Sequence, residues 1–205
     1  LSAADGRAAS PVLLFDLGGV VVDFRGPERL HALVGGDVEW VRATWHRLPE
    51  LDALERGRIA PERFADAFLK EWRLDLDAAA FLDEFRNWVV GRFEPVAETL
   101  RGLAGRHRLA CLSNVNALHW ARCVELGIDA LFEAHLLSHE LGLRKPEPEI
   151  YAVAAARLAA PPADIIFFDD APANVAAARR AGMRAELVAA PGAAAAALLR
   201  AGVAL

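Results

Sequence analysis

The chain has 205 residues, 55% hydrophobic and 25% charged, enough to bury roughly 70% of its unfolded surface without help from disulfides or a structural metal. That balance excludes a disordered or solvating chain. With 28 acidic against 23 basic residues, a formal net charge of −5 and no basic block, it lacks the electrostatic footprint of a nucleic-acid or anionic-membrane partner.

The opening residues 1–10, LSAADGRAAS, have neither a basic segment nor an apolar run, so they read as a loose tail and not as a secretory signal. Pro11 to Phe15 is a short continuous apolar run, which suits a strand buried on both faces, and it ends at Asp16. An aspartate in that place, followed by Gly18 and Gly19, puts a carboxylate where backbone can come close to a ligand. Taken singly it reads equally well as a turn or cap residue.

From Phe24 to Phe93 the composition changes: this stretch carries ten of the sixteen aromatic residues. Phe64, Phe68 and Trp72 recur at i, i+4, i+8, and Phe81, Phe85 and Trp88 at i, i+4, i+7, so both sets are stripes of core on helices. No strand-like alternation competes with them, and residues 25–94 read as an all-helical insert with its own core. Trp45 and His46 belong to it, as packing residues first and substrate-facing ones second.

Beyond the insert, strand and helix alternate. A helix over 95–105 precedes the apolar run Arg108–Leu112, which meets Ser113 and Asn114, and a helix over 116–126 follows. A helix over 147–159 leads to the strand 164–168, which ends at Asp169 and Asp170, with further helices over 172–181 and 192–200. This order predicts an α/β fold of three layers, a parallel sheet with helices on both faces and right-handed crossovers. Residues 11–24 and 95–205 would form that core. The longest apolar stretch, Leu187 to Leu199, is broken by Pro191-Gly192 and falls short of the roughly 20 residues of a bilayer span. Cys111 and Cys123 are too few for a disulfide framework or a metal site and read as buried free thiols. A cytoplasmic, soluble protein is the expectation, as a monomer or a homodimer.

In open α/β sheets, ligands bind at the carboxyl ends of the strands, so Asp16, Ser113 and Asp169 can meet although far apart in sequence. Adjacent carboxylates at 169 and 170 repel one another, and a hard divalent cation such as Mg²⁺ relieves that, unless Asp170 merely caps the next helix. Ser113 and Asn114 precede a helix, where hydroxyl, amide and helix N-terminus can hold a phosphate. Lys145, stiffened by Pro146 and Pro148, is a point charge for the same anion or else a solvated surface lysine. The histidines show no metal-ligand spacing.

Taken together, FDLGGVVVD (15–23), LSN (112–114), RKPEPEIY (144–151) and FFDD (167–170) resemble the four ordered motifs of the haloacid dehalogenase superfamily, subfamily IA. The resemblance implies a Rossmann-like core with a helical cap inserted after the first motif, and a Mg²⁺-dependent hydrolase of small phosphorylated metabolites. It implies Asp16 as nucleophile, Ser113 holding the phosphoryl group with Asn114, Lys145 neutralising charge, and Asp16, Asp169, Asp170 and the Gly18 carbonyl around Mg²⁺. Asn174 would orient that shell or sit plainly on its helix.

The sequence departs from the superfamily's phosphatases at Gly18, where most carry an aspartate as general acid. Losing such an acid forfeits about 10²–10⁴ in rate. Three readings follow: 2-haloacid dehalogenase chemistry, a catalytically degenerate phosphate-binding protein, or a phosphatase whose proton comes from elsewhere. The intact nucleophile, lysine and acidic pair favour the third. The first motif, SNVNALH (113–119) and LSHELGLRKPEPEIY (137–151) are similar to the bacterial α-glucose-1-phosphate phosphatase branch, whose anomeric leaving group suits a weakened acid. His119 could be the substitute acid or a half-buried packing residue.

Overall fold

A computed structural model describes residues 10–205; the tail expected at 1–10 lies, but for Ser10, outside the described residues. The first strand, β1 (Val12–Phe15), leads to a short strand, β2 (Val22–Phe24). The insert follows as α1 (Gly26–Val34), α2 (Val38–Thr44), a 3₁₀ turn (Trp45–Arg47), α3 (Pro49–Glu55), α4 (Pro61–Glu71) and α5 (Ala78–Arg86). Then come β3 (Val89–Arg92), α6 (Glu94–Leu103), β4 (Leu109–Ser113), α7 (Ala117–Glu125), β5 (Ala134–Leu137) and α8 (Ser138–Leu141). The chain finishes with α9 (Pro148–Arg157), β6 (Ile165–Asp169), α10 (Pro172–Arg180), β7 (Arg184–Leu187) and α11 (Ala194–Arg200).

Local chemistry explains most of the helix starts. Proline occupies the first turn of α1, α3, α4, α6, α9 and α10, where its missing N–H loses nothing. Asp37 and Asp77 cap α2 and α5, each accepting two backbone N–H bonds through its side chain.

Five strands form one parallel sheet in the order β5-β4-β1-β6-β7. Alternate side chains of its central strands supply two cores. Leu13, Phe15, Cys111, Ile166 and Phe168 pack with Leu100 of α6, Cys123 of α7 and Leu198 of α11. Val12, Leu14, Leu112, Ile165 and Phe167 pack with Tyr151 and Ala154 of α9 and Val175 and Ala178 of α10. The sheet is thus the middle layer of three, and the alanines of α9 and α10 let those helices lie close to it. Both cysteines are buried free thiols, their pKa raised by burial.

The insert has a third, separate core. Leu30, Val41, Leu51 and Leu54 surround Phe64, Phe68, Phe81, Phe85 and Trp88, all buried. Neighbouring rings meet at centroid distances such as 5.0 Å for Phe68–Phe81 and 4.9 Å for Phe85–Trp88. The insert is not wholly helical, however. Residues 89–92 form β3, which pairs antiparallel with β2 and shifts register between Asp23 and Phe24. β2 thus lies just before the 25–94 segment and β3 just inside its end. Strands of three and four residues are too short to display alternation, which is why periodicity missed them.

Phe68 sits at the centre of the aromatic core, so Phe68→Ala should lower stability by about 3–5 kcal/mol. A shift of the urea midpoint at unchanged slope would measure it; a loss below 1 kcal/mol would mean that the insert does not depend on this core.

Candidate active site

Register assembles the site. In the parallel ladder Phe15 stands opposite Phe168 on one side and Cys111 on the other. Asp16 and Asp169, one residue further along, are therefore level, with Ser113 beyond them on β4, all at the carboxyl edge of the sheet. The Asp16 backbone N–H donates to the Phe168 carbonyl at 2.8 Å, which holds the residue after β1 in line with the strand.

Lys145 closes the arrangement. Its ammonium lies 2.8 Å from Asp16 Oδ1 and 2.7 Å from Asp169 Oδ2, with 4% of the residue exposed. The Nζ atom also stands 5.3 Å from the centre of the Phe167 ring. Burial opposes its charge, but the two carboxylates outweigh burial and raise its pKa, so it is a fixed cation. Asn114 fixes the lysine backbone: its Oδ1 accepts from Lys145 N–H at 2.8 Å and its Nδ2 donates to Lys145 O at 2.9 Å. These two hydrogen bonds make Asn114 an anchor for Lys145 and leave its carboxamide one further N–H. Asn174 donates to Asp169 Oδ1 and Oδ2 at 3.0 and 3.1 Å and, with the Ala171 N–H at 2.8 Å, fixes that carboxylate.

Carboxylate oxygens of Asp16, Asp169 and Asp170 lie within 4.8 Å of one another. Burial raises the Asp16 pKa to about 7, with Asp169 and Asp170 adding to the rise and Lys145 opposing it. Asp170 is raised for the same reasons, burial first and then Asp169. Three carboxylates facing one lysine form an all-oxygen donor set with excess negative charge, and a hard divalent cation fits it.

The two glycines of the first motif differ. Gly19 has φ +73°, and a Cβ there would collide with the Asp170 carboxylate, so only glycine suits it. At Gly18 a Cβ would meet nothing within 4 Å and φ is not positive. Gly18 therefore has room for a Cβ.

A cavity of about 170 Å³ opens over these groups, lined among others by Asp16, Gly18, Ser113 and Lys145 from the core and by Trp45 and Glu55 from the insert. Trp45 faces the cavity while packing on Phe24 and Trp88. His119 lines it too, but both ring nitrogens are engaged: Nε2 donates to Phe85 O at 2.7 Å, and Nδ1 accepts from Asn116 Nδ2 at 3.0 Å. Burial holds its pKa down to about 4, so it is neutral at pH 7 and is a packing residue and not a substitute acid. Sequence reasoning passed over Glu55, Ser138 and Arg144. The acid, hydroxyl and guanidinium stood in charged or polar runs with no periodic signal, and only the fold brings residue 55 to residues 138–147.

With this geometry in place, comparison with known proteins is decisive. The family of haloacid dehalogenase-like hydrolases matches residues 11–182. The chain belongs to that family. Within it, the sequence is 35% identical over 142 residues to the phosphoserine phosphatase of Thermus thermophilus, covering 65% of this chain and 50% of that protein. The chain thus matches only half the length of that relative. It is 25% identical over 177 residues to the D-ribitol-5-phosphate phosphatase of Bacteroides thetaiotaomicron, covering 80% of this chain and 84% of that one. A solved structure of a HAD family enzyme from Bacteroides thetaiotaomicron, in complex with magnesium and inorganic phosphate, shares the fold. Its TM-score is 0.74 at 23% identity, over 88% of this chain and 94% of that one. In this hydrolase no described helix is long and apolar enough to cross a membrane.

The buried, neutral His119 has a consequence for stability. Above about pH 6.5 the ring is neutral in both the folded and the unfolded chain. Between pH 6.5 and about 4 the unfolded chain takes up a proton that the native ring refuses, so stability falls with pH by up to about 3 kcal/mol. His119→Gln should flatten the fall of the denaturant midpoint across that window; an unchanged slope would place the titration elsewhere.

Proposed function

We propose that the protein is a Mg²⁺-dependent phosphomonoesterase that hydrolyses a small phosphorylated metabolite through an aspartyl-phosphate on Asp16. The observation that carries this reading is the Lys145 ammonium held between Asp16 and Asp169, beside Asp170, at the open edge of the sheet. The phosphatase names of relatives spanning most of the chain support it. A sugar 1-phosphate is the substrate class we favour, because an anomeric oxygen leaves more readily than an ordinary alkoxide and Gly18 offers it no acid.

Asp16 would attack phosphorus in line with the departing oxygen. Lys145 would favour the ionised form of Asp16 against burial and then balance the negative charge gathered on the phosphoryl oxygens. The Ser113 hydroxyl and the start of α7 would orient that group. Asp16, Asp169, Asp170 and the Gly18 carbonyl would hold Mg²⁺, which when bound neutralises the carboxylates and draws charge from the phosphoryl group. Asn174 would keep Asp169 in position, and the insert would exclude bulk water and select the substrate. A 2-haloacid dehalogenase fits less well, since a substrate carboxylate would join three carboxylates and a single lysine. A degenerate binding protein would have no use for the intact Asp16–Lys145 pair.

Asp16→Asn should abolish phosphate release across a panel containing glucose 1-phosphate, phosphoglycolate and an aryl phosphate; wild-type-like turnover by this variant would sink the assignment. Chelation should silence the wild-type chain and added Mg²⁺ restore it. Metal-independent chloride release from 2-chloropropionate would instead favour the dehalogenase.

A further inference from the structure

The insert reaches the cavity through the end of α3. Glu55, its last residue, is 8% exposed and shares the cavity with Asp16, Gly18, Ser113 and Lys145. Its backbone is tied to the core: Ser138 Oγ lies 2.6 Å from the Glu55 carbonyl, to which it can donate, and also takes the Val115 N–H at 2.9 Å. Two residues on, Gly57 has φ +65° and a Cβ there would collide with the His139 carbonyl, so the helix end meets the core backbone to backbone.

Around Glu55 three carboxylates face two guanidiniums. Arg144 lies 2.7 Å from Asp52 and 2.7 Å from Glu55 Oε2. Arg56 takes Asp52 at 2.9 Å and also pairs with Glu147. Lys145 on the cavity side and the His46 ring near Arg144 complete the titratable surroundings. Lys145 is already paired with Asp16 and Asp169, so two guanidiniums serve three carboxylates. Asp52 and Glu147 keep 39% and 38% side-chain exposure and are hydrogen-bonded by Arg56, whereas Glu55 keeps 10%. Among the described residues Arg144 is the only guanidinium that reaches Glu55, at ion-pair distance from the buried Oε2. Of the three acids, Glu55 is the one whose ionised form the surroundings support least.

We propose that Glu55 is the general acid that the first motif lacks, delivering its carboxyl proton to the leaving oxygen from the insert side of the cavity. The inference rests on the phosphatase reading. In the first half-reaction the Asp16–phosphorus bond forms and the bond from phosphorus to the leaving oxygen breaks, while that oxygen takes the Glu55 proton and departs as an alcohol. In the second, water attacks phosphorus, the bond to Asp16 breaks, and inorganic phosphate leaves with both protons of that water, while the Glu55 carboxylate is reprotonated from solvent. Burial raises the Glu55 pKa, with Arg144 and Lys145 opposing and Asp52 reinforcing, in the direction this role needs. Ser138 is a positioning residue here, holding the Glu55 backbone against the loop that follows β4.

The test uses the full chain with Mg²⁺ and two substrates, p-nitrophenyl phosphate, whose leaving group needs no proton, and the best alkyl or sugar phosphate of the panel. Glu55→Gln should lower kcat on the alkyl ester about 10²–10⁴-fold, remove the basic limb of its pH profile, and leave the aryl ester within about threefold. Adding Gly18→Asp, into the open space beside Gly18, should recover alkyl turnover. An equal fall on both esters, or undiminished alkyl turnover, would overturn the proposal while the phosphatase reading stood. The unsubstituted chain provides a second measure: its kcat should depend little on leaving-group basicity across a series of esters, and a steep decline would also overturn it. A wild-type chain that hydrolyses no phosphate ester would remove the phosphatase reading and this proposal together.

Discussion

Everything in the site depends on one buried ammonium. Asp16 and Asp169 end neighbouring strands in matched register, so the sheet forces two carboxylates together in a place that water hardly reaches. Burial raises the pKa of Asp16 and the cation between the two carboxylates opposes that rise; a protonated Asp16 would be no nucleophile. Lys145 supplies that cation from a loop, and a loop lysine can do so only if its backbone is held. The paired Asn114 bonds provide the hold and explain why an asparagine follows Ser113. The strand end that presents the hydroxyl thereby also anchors the lysine.

The insert meets the core along α7, where Leu118 packs against the cluster around Phe85 and His119 against Phe85 itself, and at the end of α3. Its aromatic core is separate from the two cores of the sheet, and the β2–β3 ribbon joins the two parts. The end of α3 then meets the 138–147 loop through Ser138, Arg144 and Glu147. That loop also carries Lys145. Whatever presses on α3 is therefore only a residue away from Lys145, and the same stretch of chain touches both the carboxylates of the sheet edge and the insert.

What could be read in the sequence followed from periodicity and from strand ends. Short apolar runs closed by Asp16, Ser113 and Asp169 marked both the central strands and the edge where they meet. The Phe64, Phe68 and Phe81, Phe85 spacing marked the insert's core. The edge strands escaped because β7, RAEL, is half polar and β5, AHLL, too short to show a pattern. Roles set by direction escaped too: Asn114 was visible as a polar residue at a strand end, but only its bonds to residue 145 show that it serves the lysine. His119 was visible as a histidine near a phosphate site, yet the Phe85 carbonyl that occupies it comes from the insert, 34 positions earlier in the chain. Glu55 sits among charged residues in LDALERGR, where nothing local separates a buried acid from a solvated one.

The open space beside Gly18 bears on how such an enzyme can change. A phosphatase with its acid on the nucleophile loop keeps proton delivery apart from the region that selects substrates, so selectivity can drift while the chemistry stays put. A chain that leaves that position bare must find the function elsewhere, and one wall of the cavity belongs to the insert. Substrate choice and leaving-group chemistry then share one lineage of mutations. On the Glu55 proposal, a change in α3 that admitted a new metabolite would also reset how fast it is turned over, and the room for a Cβ at Gly18 would keep a way back open.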